Sequence, residues 1–235
     1  IHGGSSLISK CLLKKFKDDF DQFYIFCRNV EKTKLKLEVE NFKDKEFFFF
    51  QNDLNDLEST LIDLNKLPND LTGILWITGY TGNSEEEFED LQKIKLNLNV
   101  NFINVVISLT TLVKKLKIEK NTFICVLASV AGLRGRNKRL FYSAGKGGLI
   151  NFLSGLRQKL NQKIKVITVI PGYISTNAFT EKAPNFLITS PEKCSDIIFK
   201  GIKNNKEIIY IDNLWRVIMW IIFFIPEKIF KKLNF

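Results

Sequence analysis

The sequence predicts an α/β protein: one domain built on a doubly wound parallel sheet. Three observations lead there. Short apolar runs rich in β-branched and aromatic residues alternate with longer segments of helical periodicity, the pattern of parallel strands joined by crossover helices. Several runs end in loops of glycine and hydroxyl residues, as expected where ligands lie outside the carboxyl ends of parallel strands. The 235 residues show no obvious linker and suffice for one sheet covered on both faces.

Composition narrows the chemistry. The 21 phenylalanines, with many Ile, Asn and Lys, are a bias of the whole chain, so pattern carries more weight than propensity. A net charge of +10 would suit a polyanion, yet the lysines are scattered and no zinc-finger spacing or arginine stripe occurs. The charge is therefore read as a solvated basic surface, and no nucleic-acid partner is expected. Cys11, Cys27, Cys125 and Cys194 form no C-x-x-C pair, which fits reduced thiols in a cytoplasmic protein. His2 is the only histidine, which argues against a His-rich metal site and a Ser-His-Asp triad; no metal is expected. No secretory signal pattern opens the chain.

The elements follow in order. Ile1 reads as the last residue of a strand, so the first strand is expected to be truncated. Gly3 to Ser9 then precede a helical pattern with Leu12, Leu13 and Phe16. Free N–H groups at that helix start would attract phosphate, and a plain Gly-Ser turn and cap is the equal alternative. Phe23 to Cys27 form a strand ending in Arg28, and Lys32 to Lys45 a charged helix and loop. Phe47 to Phe50 form the next strand, ending near Asp53-Leu54. Asp53 either lies in a ligand site or caps the helix starting near Leu57; both readings stay open.

Gly73 to Thr78 is a strand running into Gly79-Tyr80-Thr81-Gly82, and Glu85 to Glu89 would open a long helix with acids at its N-terminus. Asn97, Asn99, Asn101 and Asn104 interrupt its apolar positions, and a buried Asn must find partners. Thr122 to Ser129 is a strand that delivers a hydroxyl at its carboxyl end. Tyr142 and Lys146, four apart, share a helix face, where the ammonium favours the phenolate. Lys165 to Ile170 is a strand followed by Pro171-Gly172 and Thr176. Residues 177–190, with Pro184, suit a mobile substrate loop. Pro191-Glu192 starts a helix, and Glu207 to Ile211 makes the last strand.

Taken in order, the N-terminal glycine loop, Asp53-Leu54, Asn101, Ser129, Tyr142-x-x-x-Lys146, and Pro171-Gly172 with Thr176 resemble the short-chain dehydrogenase/reductase family along almost the whole chain. The resemblance implies a Rossmann-type fold and a reversible ketone/secondary-alcohol oxidoreductase. It makes Tyr142 the proton donor, with Lys146 tuning it and holding the nicotinamide ribose. Ser129 would orient the substrate oxygen, and Asn101 would support a water-linked proton relay. Gly3, Ser5, Ser6, Ile8, Arg28, Asp53, Leu54, Gly79, Pro171, Gly172 and Thr176 would hold the cofactor beside Tyr142 and Lys146. Arg28 stands where an acidic residue would favour a free ribose 2′-hydroxyl, so NADP is expected, with NAD the alternative. A homo-oligomer is also implied.

The glycine loop departs from the common T-G-x-x-x-G-x-G: His2 replaces Thr, Leu7 the second Gly and Ser9 the third. Thr78-Gly79-Tyr80-Thr81-Gly82 replaces N-N-A-G. Both changes look like the branch of the decaprenylphosphoryl-ribose 2-epimerase reductase subunit. That likeness implies a keto-sugar substrate, lipid-linked in the more specific reading. A lipid or acyl ketone is the rival, and a non-catalytic dinucleotide-sensing module the reading from another class. A chain beginning at Ile1 is expected to hold the cofactor poorly.

Residues 1–212 are assigned to the core domain and 213–235 to an apolar C-terminal extension of it. Leu214 to Pro226 is shorter than the roughly 20 residues that span a bilayer. Three readings compete for it: core or dimer packing first, peripheral membrane contact at the cytoplasmic face second, a wall of an apolar substrate site third.

Overall fold

A computed structural model describes residues 1–161, 163–176 and 183–233. The strands are β1 (Gln22–Cys27), β2 (Glu46–Gln51), β3 (Gly73–Trp76), β4 (Phe123–Leu127), β5 (Lys165–Pro171), β6 (Tyr173–Ile174), β7 (Ile188–Thr189) and β8 (Ile208–Ile211). β1 pairs in parallel with β2, and β3-β4-β5-β8 form the other parallel run. Cross-strand aromatic stacks fix the register of β1 on β2: Phe23 on Phe47, Tyr24 on Phe48 and Phe26 on Phe50, with centroids 5.3, 4.9 and 4.7 Å apart.

Ile1 and His2 join the two halves. His2 bridges in parallel to Phe26 and to Trp76, its N–H donating to Leu75 O at 2.8 Å and its carbonyl accepting from Ile77 N at 2.8 Å. The order is therefore β2-β1-(Ile1-His2)-β3-β4-β5-β8, and strand order reverses at the central position, where such sheets place their ligands. Beneath it a cleft of about 680 Å³ opens between β1 and β3, lined among others by Phe23, Tyr24, Gly73 and Leu75.

The helices are α1 (Leu7–Phe16), α2 (Val30–Leu37), α3 (Leu57–Asn65), α4 (Ser84–Phe88), α5 (Leu91–Leu98), α6 (Asn104–Val113), α7 (Leu140–Leu160), α8 (Pro191–Lys203), α9 (Asn213–Phe224) and α10 (Glu227–Phe230). On one face of the sheet Leu12 and Leu13 of α1 and Ile198 of α8 meet Ile25, Leu75 and Val169. On the other, Leu109 of α6 and Leu149 and Leu153 of α7 meet Trp76, Ile124 and Val126. Burial of both faces explains why the central strands read as continuous apolar runs.

Three local expectations need correction. The long helix expected from Glu85 is broken, because the Asp90 side chain accepts from Gln92 N at 2.8 Å and starts α5 afresh. That helix then passes through a π turn at Asn99–Ile103 before α6. The span Leu91–Val113 is long and apolar enough to cross a membrane by composition, but its Asn97, Asn101, Val105 and Leu109 are buried in the fold. Asp53 does not cap α3; Asp56 does, accepting from Ser59 N at 3.0 Å. Of the substrate loop 177–190, residues 177–182 lie outside the described residues, while Ile188–Thr189 is tied down as β7, parallel to β6.

Candidate active site

A cavity of about 980 Å³ runs along the carboxyl ends of the strands, from the start of α1 and the end of β1 to the mouth formed by β6 and the loop after β4. At one end Gly3, with φ +88°, turns the chain from His2 into α1. A side chain there would be strained and would press on Ile77, so the position requires glycine. Ser6 caps α1 by accepting from Ile8 N at 3.2 Å, and the first turn carries no acid. Ser5, Ser6 and Ile8 line the cavity with Gly3, presenting a helix N-terminus to it.

Arg28 lines the same end, joined by Asn29, Lys32 and Lys36, which sequence reasoning passed over. Lys32 and Lys36 are surface lysines in a lysine-rich chain; only the i, i+4 spacing after a strand-end cation could have singled them out. Asp53 and Leu54 line the adjacent wall.

Proton-transfer groups gather at the other end. Two residues past the end of β4 stands Ser129, whose Oγ accepts from Ala131 N at 3.2 Å and caps a short 3-10 turn. That turn lies directly on α7: a Cβ on Gly132 would fall 2.7 Å from Lys146 C, so only glycine permits the approach. α7 carries Tyr142 and Lys146 into the cavity beside Ser129. Lys146 Nζ stands 5.9 Å from the Tyr142 ring centroid and donates to Leu127 O at 3.0 Å and Thr78 O at 3.2 Å. An ammonium has three donors, so these carbonyls leave one for a ligand. Burial pulls the Lys146 pKa down to about 7, because a charged amine loses its hydration there.

Asn101 does not line the cavity; it sits behind the loop after β3, in the π turn, fully buried. Its Nδ2 donates to Tyr80 O at 2.7 Å and Asn97 Oδ1 at 2.7 Å, and its Oδ1 accepts from Tyr80 N at 3.1 Å. A Cβ on Gly79 would stand 3.7 Å from both Asn101 Oδ1 and Lys146 Nζ, so the two residues flank that glycine. Asn97 is itself held by the buried Glu87. Pro171, Gly172 and Thr176 complete the wall after β5, joined by Tyr173 and Arg136. Among the described residues no group of three or more His, Cys, Asp or Glu is placed to hold a metal, and His2 is stacked between Trp76 and Phe26, its pKa lowered by burial to about 3.

A sequence model of the family described as short chain dehydrogenase matches residues 1–185. The chain belongs to the short chain dehydrogenases. It is 26% identical over 142 residues to 11-beta-hydroxysteroid dehydrogenase-like 2 of Arabidopsis thaliana, covering 58% of this chain and 45% of that protein. It is 27% identical over 188 residues to the 3-oxoacyl-[acyl-carrier-protein] reductase of Bos taurus, covering 75% of each. The chain thus spans less than half the length of the Arabidopsis relative. A short chain dehydrogenase from Burkholderia cenocepacia in complex with NADP superposes with a TM-score of 0.77 at 17% identity, covering 90% of this chain and 94% of that one. At that identity the likeness establishes a shared Rossmann-type fold.

Proposed function

We propose that this short chain dehydrogenase is an NADP(H)-dependent oxidoreductase that interconverts a ketone and a secondary alcohol. The observation that carries the reading is Lys146: a buried amine with a spare donor, 5.9 Å from the Tyr142 ring and in one cavity with Ser129. The cavity suits a dinucleotide because the turn at Gly3 brings the N-terminus of α1, which attracts phosphate, to its wall. Arg28, Lys32 and Lys36 at its far end favour a 2′-phosphate over a free hydroxyl. When bound, the cofactor supplies the hydride that reduces the carbonyl carbon. Tyr142 gives its phenolic proton to the substrate oxygen, and Ser129 donates a hydrogen bond that orients the same oxygen. The Lys146 ammonium favours the phenolate left behind, and Asn101 holds the Tyr80 backbone beside it.

The substrate reading is a keto-sugar carried on a lipid. Arg136 and Arg139 offer polar contacts in the cavity, and Trp215, Leu133 and Leu187 form an apolar cluster beside it with Tyr173. An acyl ketone is the second reading, favoured by the same apolar cluster and by the match to the bovine 3-oxoacyl reductase. Titration with NADPH and NADH, followed by turnover against keto-sugars and acyl ketones, tests the proposal. Tighter binding of NADPH is expected, and Tyr142→Phe is expected to lower kcat by roughly 10²–10⁴-fold. Preference for NADH would refute the role of Arg28; full activity of Tyr142→Phe would refute the mechanism. NADPH binding without turnover of any ketone would leave a dinucleotide-sensing module.

A further inference from the structure

We propose that α9 and α10 form a docking surface for an anionic lipid bilayer, seated beside the mouth of the cavity. The helix is anchored along one side only. Trp215 fills the space over Gly172, meets Tyr173 edge-on at 5.3 Å and donates to Leu187 O at 3.3 Å. Met219 joins it against Val130 and Ile170. At the far end Arg134 donates to Phe223 O at 3.1 Å and to Glu227 at 3.1 Å, and its guanidinium lies 3.8 Å from the Phe230 ring centroid. Pinned at both ends, α9 turns its other side outward.

That outward side is apolar. Leu214, Val217, Trp220, Ile221, Phe223 and Phe224 are between 40% and 67% exposed. Ile229 and Leu233 continue it, 55% and 40% exposed. Isolated exposed apolar residues are ordinary, whereas a contiguous aromatic ridge marks an interaction surface. Arg216, Lys228, Lys231 and Lys232 rim it, and the acid in this stretch, Glu227, is paired with Arg134. Charge decides the occupant. A second copy laid face to face by twofold symmetry would bring two sets of these cations together. An anionic bilayer receives the ridge in its acyl boundary and the lysines among its headgroups.

The inner side of α9 contacts the turn after Ser129 and the wall after β5, so docking would set the cavity mouth at the lipid surface. This inference goes beyond the oxidoreductase reading and does not depend on it. It is tested by sedimentation of the chain with vesicles of phosphatidylcholine alone or with about one third phosphatidylglycerol, at low and high salt. The expected result is binding to the anionic vesicles that salt weakens, with Trp fluorescence quenched by brominated lipid. The triple variant Trp220→Ser, Phe223→Ser, Phe224→Ser, and separately Lys228→Glu, Lys231→Glu, Lys232→Glu, should each cut binding at least about tenfold. Circular dichroism and NADPH titration of the same samples report folding and the cofactor reading separately. No binding at low salt by the folded chain would overturn the proposal. Equal binding to neutral vesicles would overturn it too, as would a dimer in solution that the serine variant dissociates.

Discussion

Lys146 shows how one residue couples the fold to its chemistry. Its amine is buried against two carbonyls, and its pKa is lowered to about 7. Above that value the unliganded protein holds a neutral amine, which no longer favours a phenolate at Tyr142. On the proposed mechanism, ketone reduction needs the Tyr142 proton and a charged Lys146, so kcat/KM for NADPH, which reports the unliganded enzyme, should fall as pH rises through about 7, readable in a pH profile of initial rates. Stability carries the same signature with a definite sign. Between about 7 and 10.5 the unfolded chain binds a proton that the folded chain does not, so stability rises with pH across that window. Lys146→Met should therefore stabilise the protein most below pH 7, and its advantage should vanish above about 10.5. The drop from 10.5 to about 7, at about 1.36 kcal/mol per decade, bounds the difference at roughly 5 kcal/mol. Urea unfolding of both proteins at pH 6 and pH 10 measures it; parallel curves would refute the argument. That Ser129, Tyr142 and Lys146 meet in one cavity was legible in the sequence, because a strand-end hydroxyl and an i, i+4 helix pair are fixed by residue type and spacing. Lys32 and Lys36 were not, since a lysine bordering a cavity has no local mark that a solvated lysine lacks.

Elements were legible where burial imposes a pattern. The inner strands β1, β3, β4 and β5 are bounded by turns and largely buried, and each was expected within a residue or two of its observed bounds. The break at Asp90 and the π turn around Asn101 were not legible: four asparagines in eight positions fit several helical registers, and the Asn97 and Tyr80 partners come from tertiary packing. Nor did the sequence distinguish the contacts of α9, since an apolar helix can be buried on any side. The structure makes its seat specific. A methyl group at residue 172 would overlap the Trp215 indole, so Gly172→Ala should push α9 off its seat. A loss of about 1–3 kcal/mol is expected from overpacking, measured by thermal unfolding, with increased solvent exposure of Trp215 fluorescence. Unchanged stability would show that α9 is not held through this contact.

At the scale of the whole molecule, Ile1 and His2 link the two strand runs at the carboxyl end of the sheet's central position, among the described residues. Below them β1 pairs only with β2, and β3 only with β4, among the described residues. Their facing edges border the cleft of about 680 Å³, floored by Phe16, Phe20 and Phe123. His2 makes that link with its backbone, donating to Leu75 O and accepting from Ile77 N, each at 2.8 Å, while its ring stacks between Trp76 and Phe26. A proline has no N–H to donate in the middle of a sheet. His2→Pro should therefore leave Leu75 O without its partner and lower unfolding stability by about 1–3 kcal/mol. The urea midpoint measures the loss, and the link lies next to Gly3, so NADPH binding should weaken with it. An unchanged midpoint would show that the two strand runs are not held together through His2.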